Sequence, residues 1–130
     1  MYVTFNPATD AFNGVCKFQK HEGVPTLAEM QEAVGGWIEA IDLFEDADGL
    51  VTLYCDEEFL YKGTQPTVYS DGFLYHPNGQ ILHGPFIIVR TTTMGDTVSL
   101  KESDLDRIVY GQKHIIHFGM GAMIPVMKIL

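Results

Sequence analysis

His114 and His117 stand three positions apart, and His76 and His83 flank a turn, so metal binding is the first chemistry to weigh. Zinc ligands must share a face. In an extended chain His114 and His117 point to opposite sides; in a helix they share a side but lack the glutamate of an HExxH pair. The five histidines therefore read as unrelated, and no metal is expected. The run Glu45-Asp46-Ala47-Asp48-Gly49 has the acids of a calcium loop. With Gly49 in the loop's glycine position, however, Phe44 and Cys55 fall where oxygen ligands are required. A solvated turn is expected there.

Nucleophilic chemistry is no better supported. There is no GxSxG elbow, and Cys16 and Cys55, 39 positions apart, form no CxxC pair. Both lie in strand-like patterns, which predicts buried, reduced and inert thiols. No P-loop or GxGxxG is present, and the apolar "GMGAM" near the end has no strand–helix frame. Asp56, Glu57 and Glu58 read as an exposed acidic cluster, without an apolar pocket to raise a carboxyl pKa. No catalytic residue and no cofactor are predicted, and an enzyme using one of the histidines or glutamates ranks third among the functional readings.

Charge is more informative. The net charge is −9, and between His21 and Tyr61 there are 11 acidic residues with no Lys or Arg. Such a surface repels phosphate and disfavours nucleic acid as a ligand. The plain reading is a solvated face that keeps the protein in solution. The sharper reading is a surface that mimics DNA or docks on a basic protein, comprising Asp42, Glu45, Asp46, Asp48, Asp56, Glu57 and Glu58.

These side chains must be held by elements that the sequence also suggests. Tyr2 to Phe5 and Val15 to Phe18 are β-prone, separated by the turn-rich "NPATDAFNG", and read as two strands or a hairpin. Thr26 caps a helix, with Glu29 completing a capping box and Leu27, Met30 and Val34 forming its apolar stripe. Gly35 and Gly36 end it, since glycine adopts a left-handed cap at little cost. The chain then enters a hairpin from Trp37 to Cys55, turning at "FEDADGLV", with Trp37, Glu39, Ile41 and Leu43 on one face. "DEEFLYKG" suggests a helical turn, and Phe73 to Tyr75 a short strand between turns. "GPFIIVRTT" should be a central, buried strand. Ser99 is read as the start of a second helix, with Glu102 at the capping-box position, Leu105, Ile108 and Val109 inward and Gly111 as its stop.

From Ile115 onward 11 of 16 residues are apolar, too short a run to span a bilayer and too apolar to sit in water. The tail, residues 112–130, should either add strands to the sheet or bury itself in a partner subunit, and a homodimer through it is expected. The start, "MYVTFNPATD", shows neither a positive leader nor an apolar run, which predicts no signal peptide and a cytoplasmic location.

Trp37 and Glu39 stand out at the entry to the hairpin. A lone Trp in that position is expected in the core. Glu39 shares its face, so either the face reaches solvent there or Arg90, on the other strong strand, pairs with it as a structural salt bridge; a ligand-binding pair is the lesser reading.

The order "TLAEMQEAVGGWIEAIDLFED…VTLYCDEE…KG", followed by "GPFIIVR" and "VSLKESDLDRI", resembles a family of small domains catalogued as domain of unknown function 3846. The resemblance covers about residues 26–108 and is most specific at Val34 to Ile41, with "CDEE" at Cys55 to Glu58 and the Gly84 to Val89 strand also fitting. Where the family carries a Leu-Pro-x-Asn-Arg stretch, this chain has "GTQPTVYS", so a role resting on that Asn-Arg pair does not transfer. The resemblance implies a phage, plasmid or mobile-element context and supplies no activity.

The expected fold is one α+β domain over residues 1–130: a mainly antiparallel sheet of about five strands with two helices packed on it. The expected function is that of a non-enzymatic accessory protein of a phage or mobile element, blocking a host protein, such as a defence factor, through the acidic surface. The alternative is a binder that sequesters a nucleotide-type signal, using Trp37, Tyr69, Tyr75, Asn78 and Arg90, with Arg90, Lys101 or Arg107 lining a pocket at a subunit boundary.

Overall fold

Alternation along the first strand sets its orientation. Val3 and Phe5 are buried while Tyr2 and Thr4 are only half-buried, so β1 (Tyr2–Phe5) turns one side of its pleat fully inward. The computed structural model describes residues 1–6, 11–12, 15–16, 18–56, 66–70, 80–109, 114–118 and 122–128. The expected helical turn in "DEEFLYKG" and the expected strand at Phe73 to Tyr75 fall outside these residues.

After β1 come β2 (Ala11–Phe12) and β3 (Val15–Cys16), which pair with each other. β1 does not pair with β3 as a hairpin. It lies between β4 (Gln19–His21) and β9 (Phe86–Thr91). Helix α1 (Leu27–Val34) leads into the hairpin of β5 (Ile38–Asp46) and β6 (Gly49–Asp56). β7 (Pro66–Ser70) and β8 (Gln80–His83) precede β9; β10 (Thr97–Val98) and helix α2 (Glu102–Val109) follow it. The tail holds β11 (His114–Phe118) and β12 (Ala122–Lys128).

The main sheet runs β4-β1-β9-β6-β5, with β10 added to β9, and every pairing in it is antiparallel. Together with the two helices this is the expected α+β architecture. β9 is central because FIIVR can be buried on both sides, and all of Phe86 to Arg90 is buried. A second, four-stranded sheet runs β11-β12-β7-β8, in which β12 lies parallel to β7. The tail backbone is thus extended and paired within the chain.

The two helices occupy opposite faces of the main sheet. On one face Met30 and Val34 of α1 meet Ile87 and Val89, with Tyr2, Ile38 and Tyr54 at the margin. On the other, Leu105 and Ile108 of α2 and the preceding Leu100 pack with Val3, Phe5, Ile41, Leu53 and Ile88. Burial of Met30 and Val34 contributes roughly 1.5–3 kcal/mol each. Leu27 does not join them: at 57% exposure it looks outward, which corrects the expected stripe. Met30 and Val34, four apart, are the two helix residues that are buried, and Leu27 at the first position lies away from them.

Both ends of α1 follow the sequence. Glu29 N donates to Thr26 Oγ1 and Thr26 N to Glu29 Oε1, each at 3.1 Å. Gly35 takes φ +83° and donates its N–H to the Gln31 carbonyl. α2 begins at Glu102, later than the expected Ser99. Ser99 Oγ instead accepts from the Met1 amino group, and the Lys101 N–H donates to Asp104 Oδ2 at 2.9 Å. Asp104, three residues after Lys101, is the acid that closes this helix start.

Candidate functional site

A β-bulge in β5 decides which acids meet which bases. From Ile38 to Asp42 the strand pairs regularly with Asp56 to Thr52, then the register shifts and Phe44 faces Val51. Leu43 is the extra residue, so Ile41, Leu43 and Phe44 are all buried toward α2. The shift carries Asp46, rather than Glu45, to the α2 side. There Arg90, opposite Val51 on the neighbouring strand, reaches it.

Arg90 is 2% exposed, and two carboxylates take up its guanidinium. Nε and Nη2 donate to Asp104 at 2.8 and 2.6 Å, while Nη1 and Nη2 donate to Asp46 at 2.9 Å each. Lys101 Nζ reaches Asp46 at 3.3 Å and also Asp48. The hydrogen bonds from Arg90 hold the Asp46 carboxyl well below the usual carboxylate range, and Asp104, then Asp46, raises the Arg90 pKa further. Lys101 is raised as well, chiefly by Asp48. Arg107 sits over the Phe44 ring, 3.7 Å from its centre. This is a clasp joining the hairpin turn, β9 and the start of α2.

The expected Glu39–Arg90 pair is corrected by the ladder. Glu39 lies level with Cys55 and Phe86, whereas Arg90 is four residues further along β9. At about 3.3 Å per residue that is roughly 13 Å of separation along the strand. Glu39 is exposed, and its carbonyl accepts from Cys55 Sγ at 3.8 Å. Cys55 itself is buried and free, and burial, aided by Glu39 and Asp56, pushes its thiol up to about 12. That is the inert thiol expected from the sequence.

Trp37 is also corrected. It is 70% exposed, held outside the core between the glycine cap of α1 and the start of β5. With Gln31 and Gly36 it lines a shallow, open depression. Leu27 and Gln31 are four apart on α1 and share a side, so the exposed Leu27 continues the surface that Trp37 begins. Glu29, Glu32, Glu39 and Ala40 are exposed in the same two elements.

The other expected residues divide clearly. Asp42 is half-buried and accepts from Thr52 Oγ1 at 3.4 Å, and Glu45 is exposed; Asp56, at the end of β6, is buried, which corrects its expected place in an exposed acidic cluster. Asp46 and Asp48 belong to the clasp. Tyr69 lies on β7 without a described side chain, and Tyr75, Asn78, Glu57 and Glu58 fall outside the described residues. Trp37 and Arg90 stand at opposite ends of the β5–β6 ladder and do not converge on one ligand. Asp104 was not singled out in the sequence; its position three residues into a helix start is the signal that marks it.

Among the described residues no group of three or more His, Cys, Asp or Glu is placed to hold a metal, and no helix is long and apolar enough to cross a membrane. An antiparallel sheet with a helix on each face and an exposed aromatic corner defines an α+β domain. The chain belongs to the family described as Domain of unknown function (DUF3846), whose model matches residues 14–112. No curated protein and no solved structure matches it.

Proposed function

We propose that this chain is a non-enzymatic accessory protein of a phage or mobile element, working in the host cytosol by binding and blocking a host protein. The exposed corner of Trp37 supports this reading: a large aromatic ring in solvent, with exposed Glu39 two residues on and exposed acids on α1, in a stretch without Lys or Arg. A ring of that size left in water contributes nothing to folding, but it is the kind of residue that dominates binding when a partner covers it. The acids beside it favour a basic partner and speed its encounter.

The test is paired capture from host lysate with the wild-type chain and with Trp37→Ala/Glu39→Lys, followed by assay of whatever the wild type retains. The reading expects one host protein held only by the wild type and inhibited by it. Equal retention by both forms, or a retained protein that stays fully active, overturns it. Sequestration of a nucleotide draws less support, because Arg90 and Lys101, two of the three cations it relied on, are held in ion pairs with aspartates. A homodimer through the tail, residues 112–130, is part of the proposal and is read by native mass spectrometry.

A further inference from the structure

We propose that the outer edge of β5, from Ile38 to Asp42, accepts an extended, basic segment of a partner protein as an added β-strand, with Trp37 packing on the end of that segment. The inference rests on the reading above that the partner is a protein, and adds how it is held.

β5 is the last strand of the main sheet, paired on one side with β6 and, among the described residues, with nothing on the other. Glu39 and Ala40 are exposed, and among the described residues nothing covers this edge. Edge strands are usually blunted by proline, lysine or a bulge, because unpaired N–H and C=O groups template another strand. Here the register is regular from Ile38 to Asp42, and the bulge comes only after Asp42. The free stretch is about 17 Å long, enough for a five-residue strand.

Its only guards are acidic, Glu39 and Asp42, and these select the occupant. A basic strand laid alongside places opposite charges near one another, whereas a second copy of Ile38 to Asp42 brings two more acids to the edge and no base. The other edge of the sheet, β4, is only three residues long and offers no comparable template. Trp37 immediately precedes the free stretch, where strand-adding peptides need a side-chain contact to complement their backbone bonds.

The test uses the full chain and a short synthetic peptide alternating lysine with threonine, beside the same peptide N-methylated at every backbone amide. The two carry equal charge, but the second can donate along neither edge. Binding is followed by Trp37 fluorescence, Trp37 being the only tryptophan, and by amide hydrogen exchange. The ordinary peptide is expected to bind about tenfold or more tightly than its N-methylated form, the loss of one or two backbone hydrogen bonds. It should also slow exchange within Ile38 to Asp42 and bind several-fold more weakly to Glu39→Lys. Equal binding of both peptides, with no protection of β5, overturns strand addition while leaving attraction to a basic partner intact. Failure of both to bind at low salt removes that attraction as well. Protection of β5 that grows with protein concentration alone shows a second copy as the occupant and overturns the proposal.

Discussion

Replacing Arg90 with methionine should be among the most damaging single changes to this fold, and the reason is electrostatic rather than steric. Arg90 and Asp104 side chains are 2% and 4% exposed and joined at 2.6 Å. Methionine fills much of the same volume, but leaves the Asp104 carboxylate buried with the Lys101 N–H as its remaining described donor. Breaking a buried pair from one side costs about 3–5 kcal/mol. At roughly 4 °C per kcal/mol, that lowers Tm by about 12–20 °C. Removing both charges in Arg90→Met/Asp104→Leu should recover much of this, since an apolar pair replaces a buried ion pair at little net cost. The Lys101 N–H then loses its acceptor, and the double variant should settle about 1–2 kcal/mol below wild type. Urea unfolding followed by far-UV circular dichroism reads these values; Trp37, already in solvent, is a poor reporter of unfolding. A loss under about 1 kcal/mol for Arg90→Met, or a double variant no more stable than the single one, would refute the argument from an unpaired buried charge.

The remaining predictions use the same fold. Asp46 has a depressed folded pKa, so its contribution is present above the unfolded carboxylate value of about 4 and is lost as pH falls below it; Asp46→Asn should flatten the acid limb of a stability–pH curve. Gly49 has φ +146° and an added Cβ would collide with the Thr91 carbonyl, so Gly49→Ala should cost about 2 kcal/mol or more, against about 1 for Gly35→Ala, where φ is +83° and space is open. In a Cys16→Ser background, Cys55 should resist iodoacetamide at pH 8 until the protein unfolds, because its thiol is buried and pushed up to about 12. Trp37→Ala should change stability by no more than about 0.5 kcal/mol in urea titrations, since the side chain is 70% exposed.

Local chemistry made much of this fold legible. The Thr26–Glu29 box, the Gly35 cap, the hairpin from β5 to β6 and the buried β9 each depend on residues close in sequence, and each is present. What escaped depends on longer range. Pairing of β1 with β9 joins residues more than eighty apart, which no turn signal between Phe5 and Val15 announces. Strict alternation from Glu39 puts Glu45 on the α2 side, but the bulge puts Asp46 there. The neighbouring apolar pair Leu43 and Phe44, both buried, was the available sign of that slip. Trp37 was assigned to the core by residue type and Leu27 by its spacing from Met30 and Val34, yet both are exposed, because neither cue says how far the neighbouring element extends.

The strand β5 therefore divides two tasks along its length. At the turn, Asp46 and Asp48 meet Arg90 and Lys101, and the same contacts join the hairpin to α2. A buried guanidinium demands that neutralisation, so these acids belong to folding. At the other end, about 25 Å away along nine residues, Glu39 and Trp37 face solvent, and the neighbouring sequence supplies no cation. Nothing in the core requires an acid or an indole there. The 17 acids are thus not one uniform skin: Asp46, Asp48 and Asp104 are paired with Arg90 and Lys101, while Glu39 at the other end of β5 stands in solvent. Because the bulge after Asp42 separates the two regions, strand addition as proposed above would leave the clasp and its contribution to stability unchanged.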